Sequence, residues 1–274
     1  MKNVFYKYLK KPFFGRFNKT WRWPNDVHQQ EWQRRSFASE SGANISALLA
    51  LTSEPSVKGA VLLCHPMGVS AKGFWLKYGH AQLLRQAGYH VMIFDFNGFG
   101  ESGSSSMDFP LDVLAAGHAL QAEFPNLAVG LIGASLGGAM SVCAMSHANH
   151  PFKAAVIESA FPTLLHFWHR YPIPRMALQL IRLIYPNGEK RVRPIHAAKS
   201  LYGEPNMLLI YGDADEYTPV KDGRILFKSL EGKTSTQFWT VKGAKHTHAF
   251  AAQPEQYKTR VLAFFDSRLN SVCQ

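Results

Sequence analysis

Leu127 to Gly138 reads L-A-V-G-L-I-G-A-S-L-G-G, an apolar run that ends in Gly133-Ala134-Ser135-Leu136-Gly137. The G-x-S-x-G spacing is that of a serine nucleophile. A strand that enters a helix through a single residue forces that residue into strained backbone geometry, and flanking glycines, lacking Cβ, let strand and helix approach. Ser135 is therefore expected to stand exposed above a sheet. The Leu136 amide, opening the next helix, would point at an oxygen that becomes negative during acyl transfer. The apolar run before the pentapeptide and the small-residue helix after it (139–148) supply a context that a chance match in a Gly/Ser-rich turn lacks.

A serine hydroxyl is a weak nucleophile and needs an adjacent base, which in turn needs an orienting carboxylate. Two downstream loops, each following an apolar strand, offer both. Tyr211-Gly212-Asp213-Ala214-Asp215-Glu216-Tyr217-Thr218-Pro219 brings Asp213 and Asp215, and Gly243-Ala244-Lys245-His246 brings His246, with His248 two residues further. Glu158, at the end of an earlier strand, is a third candidate carboxyl. His166 and His169 lie three apart, but no Cys or carboxylate with ligand spacing accompanies them, so they read as packing and hydrogen-bonding residues. No metal and no cofactor is expected.

The elements that must position these groups alternate from about residue 36. An antiparallel pair, Arg35 to Glu40 and Ile45 to Leu51, turns at Ser41-Gly42-Ala43-Asn44. Strands follow at Gly59 to His65, His90 to Phe96, Ala128 to Ser135, Ala154 to Ser159, Met207 to Tyr211 and Gln237 to Val241. Between them lie helical patterns at Trp75 to Gln86, Leu111 to Glu123, Leu136 to His147 and Val220 to Leu230, with a last one from about Pro254 to Leu269. This alternation predicts an α/β fold, a mostly parallel sheet with helices on both faces. Residues 161–204 interrupt the rhythm with an insertion too long for a connection, helical at Met176 to Ile184, and are expected to form a cap over the carboxyl ends of the strands.

Four motifs in this order resemble the α/β-hydrolase superfamily, and within it the serine esterase, thioesterase and aminopeptidase-like branch. In that branch G-x-x-D-x-x-x-P carries the acid, which falls on Gly212, Asp215 and Pro219, and G-x-x-H carries the base, which falls on Gly243 and His246. Asp95-Phe96-Asn97-Gly98-Phe99-Gly100-Glu101-Ser102 resembles the D-x-x-G-x-G-x-S turn, and His65-Pro66-Met67-Gly68 stands where the family has an H-G-x oxyanion loop. The resemblance covers roughly residues 36–268 and implies a catalytic set of Ser135, Asp215 and His246. Pro66 departs from the pattern. Proline has no amide, but the resemblance gives the donor role to the following residue, so Met67 and Leu136 are the expected oxyanion amides and His65 an orienting residue.

Composition separates a body from two basic attachments. The formal charge is +11. Residues 1–35 carry Lys2, Lys7, Lys10, Lys11, Arg16, Lys19, Arg22, Arg34 and Arg35 against Asp26 and Glu31. Residues 161–204 carry Arg170, Arg175, Arg182, Lys190, Arg191, Arg193 and Lys199 against Glu189 and Glu204, which leaves the rest close to neutral. The domain reading is therefore an N-terminal arm (1–35), a hydrolase core (36–160 and 205–274) and a cap (161–204). Val4, Phe5, Tyr8 and Leu9 fall on one helical face of the arm, with lysines around them. Such a segment fits an anionic membrane surface, an acidic protein or a clamp on its own domain. No nucleic-acid module is present. The N-terminus lacks an apolar signal region and Cys64, Cys143 and Cys273 are unpatterned, so a cytoplasmic protein, peripheral to a membrane if the arm docks there, is expected.

The aromatic cap residues Phe161, Phe167, Trp168 and Tyr171 point to an apolar acyl chain, and Arg170 and Arg175 to an anionic head group or carrier. The expected activity is hydrolysis of carboxylic esters or thioesters through an acyl-enzyme, with a carrier-linked ester such as a pimeloyl-carrier methyl ester as the concrete candidate. A peptidase, amidase or acyltransferase of the same fold, or a noncatalytic binding protein, is the alternative.

Overall fold

Successive side chains of a strand point to opposite faces of the sheet, which decides where the core sits. In β3 (Gly59–Cys64) and β5 (Val129–Ala134) all six residues are buried. Leu62 and Leu131 face one apolar layer with Val113, Met140 and Leu226, while Val61, Leu63 and Ile132 face a second with Trp75, Leu84 and Phe265. A strand apolar on both sides must be covered on both sides. The computed structural model, which describes residues 21–169, 171–184 and 192–269, shows that arrangement.

Eight strands form one sheet in the order β1-β2-β4-β3-β5-β6-β7-β8. Here β1 is Gln33–Ala38, β2 Asn44–Ala50, β4 Tyr89–Phe94, β6 Phe152–Glu158, β7 Asn206–Gly212 and β8 Thr236–Val241. β2 runs antiparallel to β1 and β4, and the remaining pairs are parallel. The expected α/β fold class holds. Among the described residues the helices are α1 (Gly73–Lys77), α2 (His80–Gln86), α3 (Phe109–Glu123), α4 (Leu136–Ala144), α5 (Leu164–Phe167), α6 (Pro172–Ile184), α7 (Pro194–Ala197), α8 (Val220–Leu230), α9 (Ala249–Ala252) and α10 (Pro254–Leu269).

One expected helix is two. The pattern over Trp75 to Gln86 breaks at Gly79, whose φ of 76° ends α1 and caps α2. Left-handed backbone there lets the chain turn without a Cβ clash. In the 161–204 insertion, α6 begins four residues earlier than the apolar spacing indicated, at Pro172, a residue that suits a first helical turn.

A buried ion cluster ties the start of the described chain to the sheet edge. Lys72 Nζ lies 2.6 Å from both Asp95 Oδ2 and Glu101 Oε2 and is wholly buried, and the Trp21 ring sits 5.2 Å from it. Burial alone would raise the Glu101 carboxyl, but Lys72 and then Arg34 bring it down to about 2. Residues 1–20 of the basic arm, with its Val4 to Leu9 pattern, lie outside the described residues, as do Arg170 and Cys273. Cys64 and Cys143 are buried free thiols. No helix among the described residues is long and apolar enough to cross a membrane.

Candidate active site

Ser135 is the one residue between β5 and α4, with φ 51° and ψ −111°. Its backbone is held on both sides: its amide donates to the Glu158 carbonyl at 2.8 Å and its carbonyl accepts from the Ala139 amide at 2.9 Å. The turn needs its glycines. A Cβ on Gly137 would fall 1.9 Å from the Cys64 carbonyl oxygen, and one on Gly133 2.6 Å from Gly138 Cα. Contrary to the expectation that the serine stands exposed, Ser135 is 1% exposed, in a cavity that Phe167, Trp168, Tyr171 and Tyr217 help to wall.

His246 arrives from the loop after β8. Its Nδ1 is 2.8 Å from Asp215 Oδ2 and its Nε2 is 2.9 Å from Ser135 Oγ. A carboxylate only accepts, so Nδ1 carries the proton, and the Nε2 lone pair is left facing the serine hydroxyl. Asp215 follows β7. Its Oδ1 accepts from the amides of Tyr217 (2.8 Å) and Thr218 (2.9 Å), and its Oδ2 accepts from the Thr218 hydroxyl (2.7 Å). An aspartate bound to the amide two residues on forms its own turn, which fixes the carboxylate plane. Burial pushes the Asp215 carboxyl up, yet the hydrogen bond and charge of His246, with the Thr218 contacts, hold it below its ordinary value.

The rival candidates have other partners. Asp213 Oδ1 accepts from the Gly243 amide at 2.6 Å, joining the acid and base loops. His248 Nδ1 is 2.6 Å from the His246 carbonyl, to which it donates. Glu158 lies beneath the site, its Oε1 accepting from the Ala249 amide at 3.0 Å, and burial raises its carboxyl to about 7. His166 and His169 bond within their own turn, to Thr163 Oγ1 and to the His166 carbonyl. Among the described residues no cluster of three His, Cys, Asp or Glu could hold a metal.

His65 takes a fixed tautomer. The Phe96 amide donates to its Nε2 at 3.1 Å, so Nδ1 carries the proton and donates to the Pro66 carbonyl at 2.7 Å. Burial lowers its basicity to about 4, and the neutral ring braces the 65–68 turn.

Ser135 and His246 open into a cavity of about 310 Å³. Met67, Phe167, Trp168, Tyr171 and Tyr217 share its wall. The Tyr217 ring lies 5.3 Å from that of His246. Two sequence-selected residues are elsewhere: Phe161 is buried under Phe167 at a ring separation of 5.4 Å, and Arg175 is exposed on α6 outside the cavity wall. Sequence reading passed over Thr218, Tyr217, Tyr78 and Phe74. The first two follow Asp215 at the spacing of an aspartate turn, a signal that could have found them. Tyr78 and Phe74 reach the cavity from α1 only through the tertiary fold.

A mostly parallel sheet with a strand–serine–helix elbow and a hydrogen-bonded histidine and aspartate at its carboxyl edge defines a protein of the α/β-hydrolase superfamily. Within that class, the model of the prolyl oligopeptidase family matches residues 75–272, and the chain belongs to this family. It is a hydrolase of the α/β fold. The human protein named "Putative protein-lysine deacylase ABHD14B" is similar to it, 26% identical over 235 residues that cover 85% of this chain and 95% of the relative. The Pyrococcus furiosus esterase Pf2001 has a similar fold, with a TM-score of 0.72 at 18% identity over 92% of this chain and 97% of that one. The Pyrococcus horikoshii acylaminoacyl peptidase is similar over 89% of this chain but only 43% of its own length, with a TM-score of 0.64 at 15% identity.

Proposed function

We propose that the protein is a serine hydrolase that cleaves carboxylic esters of an apolar acyl group through an acyl-enzyme. The observation that carries this reading is the unbroken line from Ser135 Oγ through His246 to Asp215, opening into an aromatic cavity. His246 Nε2 takes the hydroxyl proton as Oγ bonds to the acyl carbon, and Asp215 stabilises the imidazolium. The amides of Met67 and Leu136 hold the oxyanion, a role worth about 2.7–4 kcal/mol per donor. His246 then gives its proton to the leaving alcohol. In the second half, water loses a proton to His246, attacks the acyl carbon and releases the acid as Ser135 regains its hydrogen. A carrier-bound ester would need a base at the cavity. With Arg175 outside the cavity wall, the proposal stays with the ester class.

The test compares p-nitrophenyl esters of increasing acyl length with the wild type and Ser135→Ala. Loss of roughly 10⁴-fold or more in kcat is expected, with a chain-length optimum that sizes the cavity. Equal rates would remove Ser135 from the chemistry. A second reading, amide cleavage, is favoured by the family's peptidase name and by the deacylase name of the human relative. An acyl-lysine peptide in the same assay separates the two: if its kcat/KM exceeds that of the best ester, the amide reading replaces the ester one.

A further inference from the structure

On α6, Ile173, Met176, Leu180 and Leu183 are exposed by 78, 68, 57 and 80%, while Leu178 on another side is buried at 9%. The spacing of three, four and three puts the four exposed residues on one flank of the helix, a stripe about three turns long. Isolated exposed leucines need no explanation, but a contiguous apolar stripe marks a surface that something covers. At its N-terminal end stands Tyr171, itself 43% exposed, which also lines the cavity that holds Ser135. The stripe thus begins two residues along the chain from the cavity wall.

Charge decides among the occupants. Arg175, next to Met176 on α6, is exposed, so a base stands beside the stripe. The whole insertion carries seven bases against two acids. A second copy would bring an equally basic face against this one, and residues 1–20, with six bases and no acid, would do the same. An apolar flank beside an exposed arginine, in an insertion with an excess of bases, is instead complementary to a surface that is apolar below and negative above, which is the boundary of an anionic bilayer. We propose that the outer flank of α6 docks on an anionic lipid bilayer, its four apolar side chains entering the acyl boundary and Arg175 meeting the phosphates. Docking there places Tyr171, and with it the mouth of the cavity, at the membrane interface.

The test is flotation of the full-length protein with vesicles of phosphatidylcholine, with and without phosphatidylglycerol. Its outcome does not depend on which bond the enzyme cleaves. Wild type is expected to float with the anionic vesicles and not with the neutral ones, and the double variant Ile173→Ser, Leu180→Ser to bind at least about tenfold more weakly. An unchanged thermal midpoint shows that the variant folds. Arg175→Glu, which removes no apolar group, is expected to weaken anionic binding as well. Three results overturn the proposal: a wild type that ignores anionic vesicles, a double variant that floats as well as wild type, which assigns the binding to another surface such as residues 1–20, or a wild-type dimer that the double variant renders monomeric, which assigns the stripe to a second copy.

Discussion

Glu158 is wholly buried at the end of β6, and it touches both halves of the proposed machinery: its main-chain oxygen takes the Ser135 amide and its side chain takes the Ala249 amide in the His246 loop. Tyr257 OH adds a longer contact, 3.4 Å from Oε2. Burial raises its carboxyl to about 7 against an ordinary 4.5. A raised acid binds its proton more tightly folded than unfolded, so its contribution to stability is complete below pH 4.5 and is lost as pH rises towards 7. Glu158→Gln, permanently neutral, escapes that loss. Its thermal midpoint relative to wild type should therefore climb between pH 5 and pH 8, and a difference that stays flat with pH would show that Glu158 does not titrate there. Gly137 makes a second test at this scale. The 1.9 Å approach of a Cβ there to the Cys64 carbonyl oxygen is to backbone, which cannot swing aside as a side chain does. Gly137→Ala should cost about 3 kcal/mol in urea unfolding and displace the 65–68 turn. A cost near zero would mean that the turn yields freely.

Elements explain why some of this could be read in the sequence and some could not. β3 to β7 were legible because mostly apolar runs of six or seven residues bounded by turns leave few alternatives, and α8 because its apolar residues keep the helical period. Ser135 and His246 are 111 residues apart, yet each ends a strand–loop unit with its own short signature, and parallel strands bring such loops to one edge. The break at Gly79 was not legible, since the apolar spacing continues through it. Nor was the Lys72 cluster, whose partners lie 23 and 29 residues away in loops with no pattern linking them. The amphipathic spacing of α6 was visible, but which apolar flank stays uncovered depends on the packing of the insertion. The lead-in to β1 shows how such unread contacts act. Trp21 is 7% exposed, its ring packs where a Gly73 Cβ would stand, 2.7 Å from Cε3, and its indole N–H donates to Glu101 at 3.4 Å. Trp21→Ala removes the cover of Lys72 and should destabilise by about 3–5 kcal/mol in urea. Since Ser70 and Ala71 of the same turn line the cavity, KM should rise as well. A variant as stable as wild type would make the lead-in an ornament of the fold.

For the whole molecule, the charge matters more than any single ion pair. A formal +11, concentrated in residues 1–35 and 161–204, sets up a positive field, and the second of these segments supplies Phe167, Trp168 and Tyr171 to the cavity wall. Such a field raises the local concentration of anionic substrates and their rate of encounter, and salt removes it. Between ionic strengths of about 0.01 M and about 0.1 M the screening length falls from about 30 Å to about 10 Å, which is the range over which charges spread across an insertion of this size stop acting together. An ester that carries a carboxylate at the far end of its acyl chain should lose kcat/KM severalfold over that range. A neutral ester of the same length should change little, because nothing in its approach is steered. The comparison cancels any effect of salt on the enzyme's own stability or on His246, which both substrates share. If the two esters fall in parallel, the basic segments take no part in substrate capture and their charge belongs to docking alone.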